Sequence, residues 1–379
     1  MKKRIIFIPV ETIARELDYK IILASKLASE DNLVFLGQHD FLDSILNYFN
    51  NGVYIGKHVF KDSFPCSTNL YKKYKKRNFS IAWLHEEGGI YAGDKTNWKK
   101  VLDELLDSSV LESDDSILTW GGFQKEHYID RTIASTKNTG VPRFNLSSKS
   151  PLRSIINKFN RVVEKDYVLI NTNFSTVNYH SDRENMLSNL KNSFKTVDEE
   201  VSLVKHFVSQ NKIFSYFIDL VIDLAKKYPD QLFVFRPHPT ESVKIYNLLF
   251  SNFENIKVSK EFSAVEWMDK CKCLIQNGCT TSLEANFMGK KILNYFPFND
   301  VNSINITKEL GISCKNLSEI ETEIFNEKNN SNSNNNLVEM PNLIDNFNEN
   351  YSEDKFVTVL LRQINKKEKF KFNYFFLVQ

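Results

Sequence analysis

Short apolar runs alternate along this chain with longer segments in which apolar residues recur at helical spacing. Five apolar runs in the first 120 residues predict strands at 4–10, 34–37, 53–55, 81–84 and 117–120. Between the first three of them, the segments 14–29 and 41–49 repeat apolar side chains every three or four residues and predict helices. Strands that alternate with helices in this way are typical of a doubly wound parallel sheet.

The same alternation starts again after residue 160. Apolar runs predict strands at 167–171, 232–235, 273–276 and 292–295, and residues 213–227 predict a helix. A chain of 379 residues exceeds the size at which a single core usually stops growing. We therefore predict an α/β protein of two Rossmann-like domains that face each other across a cleft. The predicted domains are 1–160 and 161–340, and we expect a helical tail, 341–379, to pack back on the N-terminal domain.

Composition narrows the class of protein. The 49 basic and 47 acidic residues leave a net charge of +2, which gives no overall field that would attract nucleic acid. Five cysteines without regular spacing indicate free thiols in a reducing compartment. The basic N-terminus precedes an apolar run too short for a signal peptide, and no apolar run reaches 18 residues. We expect a cytoplasmic protein.

The segment after the predicted strand 273–276 has the composition of a phosphate site. It reads Asn277-Gly278-Cys279-Thr280-Thr281-Ser282 and continues into the helical pattern Leu283-Glu284-Ala285. Free backbone N–H groups and hydroxyls at the start of a helix, where the dipole is positive, favour an anion such as phosphate. The alternative is that Thr280, Thr281 and Ser282 only cap a helix.

A second polar segment, Arg236-Pro237-His238-Pro239-x-Glu241, follows the predicted strand 232–235. Pro239 disfavours helical geometry at His238, so the imidazole is expected to project from the strand end. Arg236 and His238 then supply positive charge and hydrogen-bond donors to the same anion, and Glu241 orients His238 or the nucleotide. The alternative is an ordinary loop histidine. Two such segments in this order favour a nucleotide site.

Several motifs in the first 300 residues resemble those of bacterial surface-carbohydrate biosynthesis proteins. They are Glu11-x-x-x-Arg15-Glu16-Leu17-Asp18, His85-Glu86-Glu87-Gly88, Thr119-Trp120-Gly121 with Gln124-Lys125, and Thr139-Gly140-x-Pro142-Arg143-Phe144. The histidine-proline and Asn-Gly-Cys-Thr-Thr segments are similar to those of capsule Kdo transferases, polysialyltransferases and glycerophosphate polymerases. The resemblance implies a GT-B fold whose C-terminal domain holds CMP or CDP and whose N-terminal domain holds the acceptor.

For the individual residues that match the family's motifs, the resemblance implies that His238 and the hydroxyls of Thr280 to Ser282 contact the donor phosphate. Glu284, one turn into the helix, would accept hydrogen bonds from ribose hydroxyls. The alternative for Glu284 is a favourable negative charge at a helix N-terminus. No Asp-x-Asp motif occurs and the histidines are scattered, so we predict no metal and no cofactor.

Glycosyl transfer also needs a base, because a sugar hydroxyl is a poor nucleophile until its proton is removed. Glu86 and Glu87 lie on a glycine-flanked loop after a predicted strand, and adjacent side chains generally point apart. We favour Glu87, with Glu86 or His85 as support. The alternatives are that the carboxylate acts as a nucleophile in a retaining reaction, or that both glutamates are solvated on an exposed loop.

Glu11, Arg15 and Asp18 are predicted to share one helical face that lines the acceptor side, and His85 is predicted to lie on the acceptor side as well. The alternative for the first three residues is a salt-bridged helix start. The combined prediction is a metal-independent glycosyltransferase that moves Kdo or a related acidic keto-sugar from a cytidine nucleotide to a growing surface glycan. The alternatives are a CDP-polyol transferase, a sugar-nucleotide 2-epimerase and a non-catalytic nucleotide-sugar-binding protein. Basic and aromatic residues at 71–77 and 366–372 allow peripheral membrane contact, although solvated helical faces explain such runs more often.

Overall fold

The computed structural model describes residues 2–57, 65–84, 86, 95–146, 153–181, 184, 187–188, 196–298, 310–325 and 352–371. Its strands are β1 (Lys2–Pro9), β2 (Asn32–Gly37), β3 (Gly52–Gly56), β4 (Phe79–Leu84), β5 (Ser116–Thr119), β6 (Ser135–Asn138), β7 (Val168–Asn171), β8 (Phe233–Arg236), β9 (Ile256–Val258), β10 (Cys273–Gln276), β11 (Ile292–Tyr295), β12 (Ile312–Cys314) and β13 (Phe370–Lys371).

Its helices are α1 (Ile13–Leu27), α2 (His39–Leu46), α3 (Pro65–Lys75), α4 (Lys95–Leu105), α5 (Gly122–Ile129), α6 (Arg153–Phe159), α7 (Val197–Lys227), α8 (Val243–Leu249), α9 (Ala264–Lys270), α10 (Thr281–Phe287), α11 (Leu317–Phe325) and α12 (Ser352–Ile364). Short 3-10 helices span Ser108–Val110 and Pro142–Leu146. No helix in the described ranges is both long and apolar enough to cross a membrane.

The chain divides into two compact units. Unit 1 comprises residues 1–153 and 339–379, and unit 2 comprises residues 154–338. The sheet of unit 1 has the order β2-β1-β3-β4-β5-β6 with all of these neighbours parallel, and β13 pairs antiparallel with the start of β1. The sheet of unit 2 is entirely parallel, in the order β12-β11-β10-β7-β8-β9.

Both sheets are buried on two faces, which explains their continuous apolar strands. In unit 1, the aromatic residues of β1, β3 and β4 form one core cluster, which includes Phe7, Tyr54 and Phe79. The opposite face packs against α1 and α12, and α12 contributes Phe356, Leu360 and Ile364. In unit 2, the second half of α7 packs on β7, β8 and β10.

The predicted α/β class with two Rossmann-like domains is confirmed, and β10 and β11 begin and end where the pattern places them. The pattern misses β6, which is polar, and it misses β9, β12 and β13, which have only two or three residues each. It also starts α7 sixteen residues late. Among its described residues, the first half of α7 has no fully buried side chain, and its four exposed valines obscure the helical repeat that Leu203 and Phe207 share with residues 213–227.

Candidate functional site

Four neighbouring strands of unit 2 place buried polar side chains side by side near their carboxyl ends. Asn294 of β11 pairs in register with Gln276 of β10, and Asn171 of β7 pairs with Arg236 of β8. Ile275 of β10 pairs with Ile170 of β7, so the next residue on each strand, Gln276 and Asn171, also lie side by side. We call these four residues the polar row. Open α/β sheets bind ligands at this edge, outside the carboxyl ends of their strands.

No role is assigned from the sequence to Asn171, Asn294 or Gln276, the residue that directly precedes the predicted phosphate segment, although a signal for all three exists. The strands read VLIN, CLIQ and ILNY, so each apolar run is interrupted by one carboxamide at or next to its end. All three side chains are at most 1% exposed. Buried polar groups need partners, so carboxamides at equivalent positions of adjacent strands indicate a built polar site.

Gln276 holds the turn that leads into α10. Its Oε1 accepts hydrogen bonds from the backbone N–H groups of Gly278, at 2.7 Å, and of Cys279. Gly278 has φ 102°, a conformation that glycine adopts without strain. The prediction that these two N–H groups are free for phosphate is therefore wrong. The carbonyl of a buried glutamine also needs donors, and these two amides supply them.

The hydroxyls of the turn have different surroundings. Thr280 is the N-cap of α10, and its side chain makes no capping hydrogen bond. Thr281 Oγ1 accepts from the Asn171 side chain at 3.0 Å, which joins the start of α10 to the end of β7. Ser282 is fully buried and its hydroxyl donates to the Cys279 carbonyl at 2.8 Å. Of the three predicted phosphate hydroxyls, that of Thr280 is therefore the least engaged by the turn.

Arg236 is a buried cation whose charge is incompletely met by the protein. It is 7% exposed, and its Nη2 donates to the Phe262 carbonyl at 3.3 Å. Its Nε has no hydrogen-bond partner, and no described carboxylate lies within ion-pair distance of the guanidinium. Burial lowers the pKa of Arg236, and Cys279 and Glu284 are near enough to oppose that shift. A buried charge without a partner is costly, so this position favours an anionic ligand.

His238 lies after β8 with its ring orientation set by neighbouring groups. Its Nδ1 is 2.8 Å from Thr240 Oγ1 and 3.2 Å from Ser175 Oγ. The backbone N–H of Thr240 donates to the same nitrogen at 3.3 Å. Because an amide N–H can only donate, Nδ1 is an acceptor, and the neutral ring carries its proton on Nε2. In this tautomer the Nε2–H is the donor of the ring, and the predicted contact with phosphate would be made through it.

Glu241 supports His238 from inside the unit. Its carboxylate is fully buried and accepts from Thr172 Oγ1 at 2.9 Å, from the Phe174 N–H at 2.7 Å and from the hydroxyl of Tyr246. It also accepts from the His238 N–H at 3.3 Å. Burial raises its pKa, although these hydrogen bonds act in the opposite direction. Of its two predicted roles, the contacts favour orienting His238 over touching a nucleotide, because the carboxylate already has four donors.

Two further carboxamides at this edge lack complete partners. One side-chain atom of Asn171 and one of Asn277 are buried without a hydrogen bond. Glu284 is 5% exposed on the first turn of α10 and is close enough to Arg236 to interact electrostatically. Arg236 Nε provides a donor to a ligand, and the unpaired oxygens of Asn171 and Asn277 provide acceptors. That combination suits the phosphate and hydroxyl groups of a nucleotide better than an apolar ligand.

Unit 1 contains a buried ionic group at the carboxyl end of β4. Glu86 follows this strand and is 5% exposed, with Oε1 2.7 Å from Lys20 Nζ and bonded to the hydroxyl of Tyr19. Lys20 also donates to Glu16 Oε2 at 2.9 Å and to the Pro9 carbonyl at 2.6 Å. The alternative of two solvated glutamates is therefore wrong for Glu86. Glu87 and His85 lie outside the described residues.

Burial alters the protonation of this group. It raises the pKa of Glu86 well above its usual range, and the neighbouring Glu16 adds to that effect. Burial lowers the pKa of Lys20 to about 8, against the attraction of Glu16. Burial alone would raise the pKa of Glu16, but Lys20, the Glu11 N–H and Arg15 lower it to about 2. A raised pKa makes the ionised form of a carboxyl a stronger proton acceptor.

The predicted acceptor-side face needs a correction. α1 begins at Ile13 after the N-cap Thr12, so Glu11 precedes the helix and does not share a helical face with Arg15 and Asp18. Glu11 instead contacts Lys57 Nζ at 2.7 Å and His39 Nε2 at 3.1 Å. Arg15 donates to Glu16 Oε1 at 2.9 Å, and Asp18 lies half-buried on α1.

The sequence pattern also misses Glu16, Tyr19 and Lys20. Glu16 and Lys20 are four residues apart on α1, which is the spacing of an ion pair on a helix. Such pairs are usually exposed, and only the packed structure shows that this one is buried. Among the described residues, no cluster of His, Cys, Asp or Glu side chains could hold a metal ion. The absence of a metal requirement stays a prediction.

No family model matches this chain, and no curated protein matches it in sequence. Solved structures do match. S. aureus MnaA determined with UDP has a TM-score of 0.50 at 14% identity, covering 96% of this chain and 97% of that chain. A putative UDP-N-acetylglucosamine 2-epimerase from Listeria monocytogenes has a TM-score of 0.52 at 11% identity, covering 97% and 98%.

The wall teichoic acid polymerase TagF, soaked with CDPG, has a TM-score of 0.50 at 12% identity and covers 96% of this chain and 89% of that chain. At such low identity, the likeness concerns the fold. It extends over almost the whole length of each protein, and both units take part in it. This chain has the GT-B fold.

Proposed function

We propose that this protein is a nucleotide-sugar-dependent glycosyltransferase of surface-glycan synthesis, with its nucleotide site at the polar row of unit 2. Arg236 carries the proposal. A nearly buried guanidinium with an unpartnered Nε, at the strand edge where open α/β sheets bind ligands, is stabilised when a phosphate reaches it. The fold supports the same reading, since matching structures were determined with UDP and with CDPG.

In the proposed reaction, the bond between the sugar and the nucleotide phosphate breaks, and the phosphate oxygen keeps the electron pair. Arg236 and the Nε2–H of His238 stabilise the negative charge that develops there. The acceptor hydroxyl forms the new bond to the sugar and gives its proton to a carboxylate. Glu87 is the predicted base. Glu86, with its raised pKa and its contact to Lys20, is the described residue that fits the same task.

The donor we propose is a cytidine nucleotide carrying Kdo or a related acidic keto-sugar, and the acceptor is a growing or lipid-linked glycan. This choice rests on the likeness of residues 236–241 and 277–281 to the segments of capsule Kdo transferases and their relatives. Binding of the leaving phosphate through Arg236, His238 and the hydroxyl of Thr280 needs no divalent ion. We therefore expect activity to survive EDTA, and loss of activity in EDTA would contradict this part of the proposal.

A sugar-nucleotide 2-epimerase is the second candidate. The match to the Listeria structure of this type extends over almost the whole length of both proteins. The charged group around Glu86 and Lys20 offers the proton donor and acceptor that epimerisation needs. The two functions differ in their need for an acceptor. An epimerase would interconvert a nucleotide sugar alone, whereas the proposed transferase releases free nucleotide at a useful rate only when an acceptor glycan is present.

Ligand binding tests the nucleotide site directly. We expect CMP or CDP to raise the unfolding temperature more than UDP or GDP, because a ligand at 100 times its Kd adds about 2.7 kcal/mol to the free energy of unfolding. Selective stabilisation by UDP would shift the assignment to the epimerase type. No stabilisation by any of the four nucleotides would remove the proposed function.

Arg236→Met tests the residue on which the proposal rests. We expect nucleotide affinity in calorimetry to fall by about 10- to 100-fold, the loss of one or two charge-assisted hydrogen bonds. The free energy of unfolding without ligand should stay the same or rise, because an incompletely paired buried charge is removed. Arg131→Met, which removes a half-exposed guanidinium paired with Asp103, is the matched control and should change neither quantity greatly.

Glu87→Gln and Glu86→Gln separate the two candidate bases. The variant of the true base should lose turnover by at least about 100-fold while nucleotide affinity stays nearly unchanged, since a positioned base contributes typically 10²- to 10⁴-fold. We expect Glu87→Gln to show this pattern. Full turnover in that variant would exclude Glu87, and full turnover in both would exclude this loop from the chemistry.

A further inference from the structure

The helix α7 consists of two halves with different surroundings. Its second half buries Ile213, Phe217, Leu220, Val221 and Leu224 in the core of unit 2. In its first half, none of the side chains between 197 and 212 that the structure describes is fully buried. This first half spans four turns and is roughly 24 Å long at 1.5 Å per residue.

Four valines form a stripe on this first half. Val197, Val201, Val204 and Val208 are 75%, 43%, 60% and 59% exposed. Their spacing is i, i+4, i+7 and i+11, which at 100° per residue confines them to an arc of about 60°. We call these residues the valine stripe. Single exposed valines are common, but four on one line of a helix are typical of a helix–helix seam.

The direction of the valine stripe rules out an extension of the unit 2 core. At 100° per residue, Phe217 and Leu224 point about 180° away from it. Further along the helix, the direction of the stripe is taken by the polar residues Asn211, Ser215 and Asp219 and then by Ile222, which is half-buried against the unit 2 core. The exposed surface along this direction is therefore polar from 211 to 219 and apolar in the first half of the helix. An apolar face opposite the core needs a partner from elsewhere.

We propose that the valine stripe pairs with the same stripe of a second copy of this chain, in an antiparallel two-helix seam. Charges beside the stripe fit this partner. Asp198 and Lys205 lie on the same flank, about 80° to 100° from Val197. In an antiparallel pair centred on the stripe, Asp198 faces Lys205 of the partner subunit, and the symmetric contact repeats the pair. β-branched side chains such as valine are suited to helical seams.

The antiparallel direction also agrees with the burial of α7. Each helix enters its own unit 2 core at Ile213, just beyond the stripe. Antiparallel helices put these two cores at opposite ends of the seam, whereas parallel helices would bring them to the same end. The seam contains only four valines from each chain, so we expect a dimer that dissociates on dilution in the micromolar range. This inference is independent of the catalytic proposal.

Sedimentation of the full chain across micromolar concentrations tests the seam. We expect reversible dimerisation, and Val204→Lys should weaken it by about tenfold or more because charge enters the apolar line. The matched control is Val163→Lys, at a valine of unit 2 that is 81% exposed and lies outside α7. This control should dimerise like the wild type. Both variants should keep the wild-type unfolding temperature, since neither valine is buried.

A charge swap tests the antiparallel direction. Asp198→Lys and Lys205→Asp should each weaken the dimer, because each places like charges across the seam, and the double variant should restore it. A dimer that the double variant does not restore would overturn the antiparallel arrangement. A wild type that stays monomeric, or a dimer indifferent to Val204→Lys, would overturn the proposal. So would a monomer whose stripe instead binds phosphatidylserine vesicles and loses that binding in Val204→Lys.

Discussion

Buried charges in this protein differ in how fully other groups neutralise them. Lys20 uses its three N–H bonds on Glu16, Glu86 and the Pro9 carbonyl. Arg236 is almost as buried, but it donates one long hydrogen bond to a carbonyl and has no described carboxylate in ion-pair contact. A lysine with three partners belongs to the architecture of its unit. An arginine with so few partners is better explained by an anionic ligand that supplies the missing hydrogen-bond acceptors and negative charge.

Removing the Lys20 ammonium should be costly. In Lys20→Met, Glu16 and Glu86 stay buried without their shared cation, so we expect the free energy of unfolding in urea to fall by about 3 to 5 kcal/mol. Glu16→Gln combined with Lys20→Met should recover part of that loss, because one of the two stranded charges is gone. Losses that simply add in the double variant would contradict the shared role of Lys20.

A surface lysine is the matched control for this experiment. Lys73 pairs with Asp43, and both side chains are about 40% exposed. Water solvates the two charges whether or not they pair, so Lys73→Met should cost at most about 1 kcal/mol in the same measurement. A loss for Lys73 equal to that for Lys20 would show that burial does not set the cost.

At the scale of elements, the turn between β10 and α10 is the part of the site whose backbone conformation depends most on particular residues. Gly278 at φ 102° allows Gln276 Oε1 to accept hydrogen bonds from two consecutive amides. Asn277 and Thr280 belong to the same turn, so their positions depend on this geometry. Asn171 then fastens the first residue of α10 through Thr281. The position of the turn therefore depends on side chains from two neighbouring strands as well as on its own sequence.

Gly278→Ala tests the turn. A side chain at this φ is strained, so we expect a loss of about 1 to 3 kcal/mol in the free energy of unfolding and a clear loss of nucleotide affinity. Gly289, at φ 63° just beyond the end of α10, is the matched control. Gly289→Ala should cost about 1 kcal/mol in stability and leave nucleotide affinity unchanged. Equal affinity losses in the two variants would separate the turn from the binding site.

At the scale of the whole molecule, each unit contains a buried carboxylate that depends on cations or amides. Glu16 fills this role in unit 1. In unit 2 it is Glu266, whose carboxylate meets Arg161 Nε at 2.9 Å and Nη2 at 2.6 Å and caps α9 with Ser263. Burial alone would raise the pKa of Glu266, but Arg161 and the Ser263 amide lower it to about 2. Both pKa values lie below the ordinary value of 4.5.

These pKa values predict acid sensitivity. A carboxyl whose pKa is lowered by folding stabilises the protein fully above about pH 4.5, and this contribution is lost as the pH falls toward 2. Each carboxyl contributes up to about 3 kcal/mol. We expect the free energy of unfolding, measured between about pH 6 and pH 2, to fall steeply in this window. Glu266→Gln should flatten the fall, whereas Glu254→Gln, at an exposed glutamate of the same unit, should not.

Much of the fold could be predicted from the sequence, because the signals for it are local. A strand buried on both faces is apolar throughout, as in β4 and β10, and a helix that covers a sheet repeats its apolar residues at 3.6-residue spacing. The candidate residues Arg236, His238 and Glu86 could be found in the same way, because each lies at the carboxyl end of such a strand or two residues beyond it. The first half of α7 departs from this rule because its four exposed valines face away from the core, and β6 departs from it because its sequence is polar.

The sequence by itself determined the fold class, most strand positions and the strand ends that carry polar side chains. Tertiary structure alone decided which of those side chains meet. β7 lies between β10 and β8, so Asn171 comes beside both Gln276 and Arg236 although more than sixty residues separate it from either. Likewise, Glu86, which follows β4, contacts Lys20 of α1, although 66 residues separate them in the sequence. Strand order and burial arise from the packing of the whole chain, and no local pattern of residues records them.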